Sequence, residues 1–294
     1  MKFIFNLLLA VSLMTWGLCS QAGELPASST DEVVVLVPGF FNSFAPEYFS
    51  KDVSGSFTRK GLKVYIATGL NPIGTIEENG SGLESILNQI EQIQGHPVTF
   101  DLVGHSAGGL YSLWVASRQK FKIKNILTVA TPFQGVDFVQ EWLQNCLPFQ
   151  ALANLAHLDG LEQLTHDGVQ KFLNQIRIAP ETKVFAFAGF QPEGFDLTDA
   201  RLISGPLRVT SYYTPGSSDG IVSFNSALGL GQIMTTENTA ARQFKDTHFY
   251  IALEHWEQVL DASSFLLLGI RNTDYIRDEQ IRFYSGLADF ILKN

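Results

Sequence analysis

Val98-Thr99-Phe100-Asp101-Leu102-Val103 is a short, β-branched apolar run. It passes directly into Gly104-His105-Ser106-Ala107-Gly108-Gly109, and then into the helix-like stretch Leu110-Tyr111-Ser112-Leu113-Trp114-Val115-Ala116. A glycine-flanked serine between a strand and a helix predicts a sharp turn. In such a turn the serine backbone is strained, the glycines keep side chains out of its way, and the hydroxyl stands at the carboxyl edge of a sheet. Ser106 is therefore the candidate nucleophile. The same five-residue pattern recurs at Gly216-Ser217-Ser218-Asp219-Gly220. There the following Ile221-Val222-Ser223-Phe224-Asn225 does not begin a helix in the expected way, so context selects Ser106.

Working outward, four further runs read as buried strands: Asp31 to Val37, Leu62 to Ala67, Ile126 to Ala130 and Lys183 to Ala188, with Leu207 to Tyr213 as a sixth strand. Runs such as Val33 to Val37 are apolar at successive positions, which predicts burial on both sheet faces and helices covering each. Leu83, Ile86, Leu87, Ile90 and Ile93 recur at helical spacing and predict one of those covering helices. The fold class is α/β, a mostly parallel sheet in one domain spanning residues 23–294, with a single insertion from about Pro132 to Ile178.

Residues 1–22 read as an export signal. Lys2 precedes the apolar stretch from Phe3 to Leu18, and Ser20-Gln21-Ala22 supplies the small-residue cleavage pattern. Cys19 follows Leu18, where a lipidation signal would carry a small residue. The expectation is a periplasmic or secreted protein. The formal net charge of −9 becomes one unit more negative without Lys2, which argues against nucleic acid as a partner. With Cys19 removed, Cys146 has no partner for an internal disulfide, so stability has to come from a packed core.

A serine hydroxyl needs a general base, and the base needs an acid to hold its tautomer. On sheets of this kind the acid and then the base follow the serine along the chain. Asp219, in the loop Thr214-Pro215-Gly216-Ser217-Ser218-Asp219-Gly220, is the candidate acid, and His248 and His255 are the candidate bases. A developing oxyanion needs two N–H donors. Ala107, just after the serine, should supply one, and Phe40, in the Pro38-Gly39-Phe40-Phe41 loop after the first strong strand, the other.

These segments resemble the bacterial secreted triacylglycerol lipases of the Pseudomonas and Burkholderia type. The likeness runs through Val34 to Phe40, Asp101 to Gly109, Val129-Ala130-Thr131-Pro132-Phe133-Gln134-Gly135, Leu161 to Gly168, Ser218 to Ser223 and His255-Trp256-Glu257-Gln258-Val259. The chain departs from the family at Pro38 and Phe133, where the family carries histidines, and in a longer Asp219 to His255 interval. The resemblance implies an α/β-hydrolase fold with a helical lid, a serine esterase or lipase activity, and a lipid or other ester substrate met at a lipid interface. It also implies His255 as the base, and a structural calcium held by Glu257, Asp261 and Asp199, whose oxygen ligands suit a hard cation. No cofactor is required for the chemistry.

The insertion carries Phe138, Val139, Trp142, Leu143, Leu147, Phe149, Leu152 and Leu155 around Pro148, an apolar segment suited to cover a site in water and open at lipid. The same machinery serves amide hydrolysis or acyl transfer, and such a fold can also be retained for binding without catalysis.

Overall fold

A computed structural model describes residues 31–42, 47–146, 158–190, 217–229, 233–240, 243–244, 250–263 and 273–294. Six parallel strands form one sheet in the order β2-β1-β3-β4-β5-β6: β1 Glu32–Val37, β2 Lys63–Ile66, β3 Thr99–His105, β4 Lys122–Val129, β5 Lys183–Phe187 and the two-residue β6 Gln243–Phe244. Helices α1 (Lys51–Thr58), α2 (Ile76–Gln94), α3 (Ala107–Ser117), α4 (Asp137–Asn145), α5 (Asp159–Glu162), α6 (His166–Gln175), α7 (Phe224–Ala227) and α8 (Thr273–Lys293) complete the described elements.

Alternation along the strands sorts the core into two halves. Val33, Val35, Val37, Phe100, Leu102 and Ile126 pack toward α2 and α3, meeting Leu83, Leu87, Ile90, Leu110 and Leu113. Val34, Leu36, Val103, Leu127, Val129, Phe185 and Phe187 face the other way, onto Val53 and Phe57 of α1 and Phe283, Tyr284, Leu287 and Ile291 of α8. The solid apolar runs thus serve two faces at once, as strands of a covered parallel sheet must. β3 is buried along its whole length and pairs with β1 on one side and β4 on the other, so the turn that follows it lies at the centre of the carboxyl edge.

Five of the expected strands form where the sequence placed them. β4 begins earlier than expected, at Lys122, because its first residues are not a solid apolar run: Lys122 is exposed, and Lys124 reaches Glu32 Oε1 at 2.5 Å. Leu207 to Tyr213 lies outside the described residues. In α2, Thr75 caps the start by accepting from Glu78 N–H, and Gly95 at φ 77° ends it. Ile93 departs from the expected stripe and is 69% exposed in the last turn, because at 100° per residue it falls well to one side of the face that buries Leu83, Leu87 and Ile90. The first and last parts of the insertion are joined to the body: Val139, Leu161, Leu164, Val169, Phe172 and Leu173 are in the core, while Leu147, Pro148, Phe149, Leu152 and Leu155 lie outside the described residues.

Asp101 on β3 is fully buried opposite Asn125 of β4, whose Nδ2 donates to Asp101 Oδ1 at 2.6 Å. Asp101 Oδ2 and Asn125 Oδ1 have no hydrogen-bond partner, and burial pushes the Asp101 carboxyl up to about 6. A protonated Asp101 supplies the missing donor of an acid–amide pair. The folded state holds this proton more tightly than the unfolded chain, whose aspartates titrate near ~3.9. This contribution to stability is therefore full below about pH 4 and is lost as pH rises through about 6. Asp101→Asn keeps the amide pairing without a proton. Thermal unfolding followed from pH 4 to 8 should show the wild type losing on the order of 3 kcal/mol relative to this variant across that window; parallel curves would contradict it.

Candidate active site

β3 delivers the chain to Ser106 at φ 55°, ψ −133°, from which α3 starts at once. Positive φ is unfavourable for a residue with a Cβ, by about 1–3 kcal/mol, so the surroundings have to hold it. Ser106 N–H donates to Val129 O at 2.9 Å, and Ser106 O accepts from Gly109 N–H at 3.1 Å and from the Thr131 hydroxyl at 2.8 Å. The serine occupies the N-cap position of α3 yet makes no side-chain capping bond, which leaves its hydroxyl free for other use.

The turn is tight enough that only glycine fits at its contact points. A methyl at Gly104 would lie 2.5 Å from Gly109 N, and one at Gly108 would lie 2.1 Å from Val37 O. A methyl at Gly39, in the loop after β1, would lie 2.7 Å from Ser106 Cβ and 3.0 Å from Ala107 N. The two expected oxyanion donors thus come from backbone segments that touch at Ser106. Ala107 N–H is among the four that a helix start leaves without an intrahelical partner. The Phe40 ring rests against Gly160 of α5, where an added methyl would meet Gly74 O at 2.3 Å and Phe40 Cε2 at 2.8 Å.

Asp219 is fully buried in the loop before α7. Its Oδ1 accepts from Ile221 N–H at 3.1 Å and Val222 N–H at 2.8 Å, so it closes its own turn. Its Oδ2 accepts from His255 Nδ1 at 2.8 Å and from Gln258 Nε2 at 2.9 Å. The backbones are tied as well, His255 N–H donating to Asp219 O at 3.0 Å. A carboxylate facing Nδ1 puts the ring proton there and leaves Nε2 as an acceptor. The His255 ring lies 4.6 Å, centroid to centroid, from that of His105, the residue before Ser106.

The structure therefore brings Asp219 and His255 into direct contact and places them beside the Ser106 turn; His248 lies outside the described residues. Three buried residues beside this pair were not singled out from sequence as candidate site residues: Tyr48, whose hydroxyl is 2.8 Å from His105 Nδ1, His105 itself, and Gln258. The available signal was the spacing of Gln258, three residues past His255, which in a turn or helix returns it to the same side. Burial, and then the neighbouring His255, hold the His105 imidazole well below its ordinary range, so it is neutral.

The carboxylates expected to bind calcium are engaged locally. Glu257 is buried, accepts from Glu254 N–H at 3.3 Å and is pushed up to about 7 by burial, while Asp261 accepts from Ser263 N–H at 2.8 Å. Asp199 lies outside the described residues, and among those described no three metal-ligating side chains come together.

No protein-family model and no curated protein matches the chain. Solved structures do. A metagenomic carboxyl esterase aligns at TM-score 0.64 and 15% identity, covering 94% of this chain and 82% of that one. Staphylococcus hyicus lipase aligns at 0.61 and 13%, covering 94% and 98%. A Bacillus licheniformis lipase in mature form aligns at 0.57 and 20%, covering 85% and 96%; against the propeptide form of that lipase the chain spans 52% of the length. The finer likeness to the Pseudomonas and Burkholderia type rests on the sequence segments alone. What these bacterial lipases and esterases establish for this chain is its architecture, the α/β-hydrolase fold.

Proposed function

We propose that the chain is a carboxylic ester hydrolase acting on acylglycerols or other lipid esters through a Ser106, His255 and Asp219 triad. The observation that carries this reading is the buried Asp219–His255 pair set against the Ser106 turn. Ser106 Oγ attacks the ester carbonyl while His255 Nε2 takes its proton, and Asp219 holds the tautomer and stabilises the imidazolium that forms. The Phe40 and Ala107 N–H groups receive the oxyanion. Collapse expels the alcohol, which is protonated by His255, and water activated by the same nitrogen releases the acid. In this reading residues 1–22 direct export, the calcium expectation enters no step, and the insertion over 132–178 acts as a lid that meets a lipid surface.

Ser106→Ala should lower turnover of a soluble ester by roughly four to six orders of magnitude without shifting the melting temperature much, and should abolish fluorophosphonate labelling. Ser218→Ala, at the second serine of the same pattern, should stay near wild type. Full activity in Ser106→Ala would remove the nucleophile from the account.

His255→Ala should lose turnover and labelling together, while His248→Ala keeps both. The reverse result would reassign the base. On emulsified long-chain esters, rates should rise out of proportion once substrate passes its solubility limit; smooth saturation through that limit would mean that the insertion is a fixed cap.

A further inference from the structure

Behind the Ser106 turn lies a set of buried polar groups that the three proposed catalytic residues do not account for. The Tyr48 hydroxyl, 2.8 Å from His105 Nδ1, also faces the backbone N–H of Gly39. With its oxygen receiving that N–H, the buried O–H requires an acceptor, and Nδ1 is the one beside it. The neutral His105 ring then carries its proton on Nε2. That nitrogen has no hydrogen-bond partner in the described structure, and the acceptors facing it are Gln258 and the backbone carbonyl of His255.

Gln258 has the complementary deficit. Its Nε2 donates to Asp219 Oδ2 at 2.9 Å and to Leu253 O at 3.3 Å, both groups that only accept, which fixes the orientation of the amide. Its Oε1 is left buried without a partner. The amide is also closely enclosed: a methyl at Gly189 would lie 2.0 Å from Gln258 Nε2. A buried donor and a buried acceptor that face each other, each otherwise orphaned, make a contact whose closure removes two desolvation penalties at once.

We infer that Tyr48, His105 and Gln258 are positioning residues for the ester-cleaving site. They form a buried chain from Gly39 of the oxyanion loop, behind Ser106, to the Asp219 oxygen that receives His255 Nδ1–H. The donors run in one sense: Gly39 N–H to Tyr48, Tyr48 O–H to His105 Nδ1, His105 Nε2–H to Gln258 Oε1, and Gln258 Nε2–H to Asp219 Oδ2. By donating to the same oxygen as His255, Gln258 fixes the plane of the carboxylate and hence the aim of the imidazole. The chain couples the loop that holds the oxyanion to the pair that moves the proton. None of its members touches substrate.

This inference rests on the triad reading, and Ser106→Ala separates the two: an active Ser106→Ala overturns the triad, whatever the other variants do. With Ser106→Ala inactive, the full-length protein is assayed on a soluble ester as Tyr48→Phe, Gln258→Leu, His105→Phe and His105→Gln, with kcat, KM, fluorophosphonate labelling rate and melting temperature measured for each. Tyr48→Phe and Gln258→Leu should each lower kcat roughly tenfold to a hundredfold, with KM within about twofold and labelling slowed in proportion. His105→Gln, whose amide nitrogen can stand where Nε2 stood, should recover most of what His105→Phe loses. The double variant Tyr48→Phe with Gln258→Leu should lose less than the product of the single losses, because the links act as one chain. Folded single variants with wild-type kcat and labelling, or a double variant whose losses multiply, would overturn the inference. If the larger changes fail to fold, Tyr48→Phe, which removes a single oxygen, decides the matter alone.

Discussion

At the end of β3 backbone meets backbone with no side chain between. Val37 O stands where a Gly108 methyl would be, Gly39 presses on Ser106 Cβ, and Gly104 presses on Gly109. At this close approach Ser106 sits at positive φ and makes no side-chain capping bond to the helix that follows. The same approach brings the loop after β1 and the start of α3 together at the same atom, so the two expected oxyanion donors come from main-chain segments fixed by the sheet rather than by rotamers. Donors set in this way need little reorganisation when charge develops. The strain at Ser106 is held by three hydrogen bonds, one donated to β4 and two accepted, from α3 and from Thr131.

The Asp219–His255 pair answers a different physical problem, that of keeping a carboxylate out of water. Asp219 is fully buried, which is costly for a charge unless donors replace its lost solvent. Four do so: two backbone N–H groups on one oxygen, and His255 and Gln258 on the other. The turn chemistry that closes the 217–222 loop and the pairing that orients His255 are therefore the work of one side chain, and the hydrogen bond from His255 N–H to Asp219 O locks the two loops together.

The sheet and the turn were legible because their signals are local. Val33 to Val37 and Val98 to Val103 are runs that only a strand covered on both faces would bury, and the serine with its glycines sits directly behind one of them. Asp219 was legible as a turn residue and His255 through its resemblance to a known segment. What stayed hidden depends on distance in the chain. Tyr48 meets His105 across 57 positions and Gln258 meets Asp219 across 39, so nothing local marks Tyr48, and only its three-residue spacing from His255 marks Gln258. Asp101 shows the same limit, since within its strand it reads as an ordinary polar residue, and only its burial between neighbouring strands raises its hold on a proton. Ile93 errs in the opposite direction: it reads as part of the helical stripe but lies to one side of the buried face.

The insertion is not a detachable module throughout. Its short helix α5 lays the Gly160 backbone against Gly74 O and the ring of Phe40 with no room for a side chain, and it thereby backs the residue proposed as one oxyanion donor. Residues Asp159–Glu162 are therefore packed onto the loop after β1 as much as they belong to any cover over it. A chimaera that imported a foreign cap across the whole of 132–178 would bring with it a new back wall for Phe40. An exchange that stopped short of Leu158 would leave the contact between Gly160 and Phe40 in place, so under the proposed function the cover and the oxyanion loop could be altered separately along the same insertion.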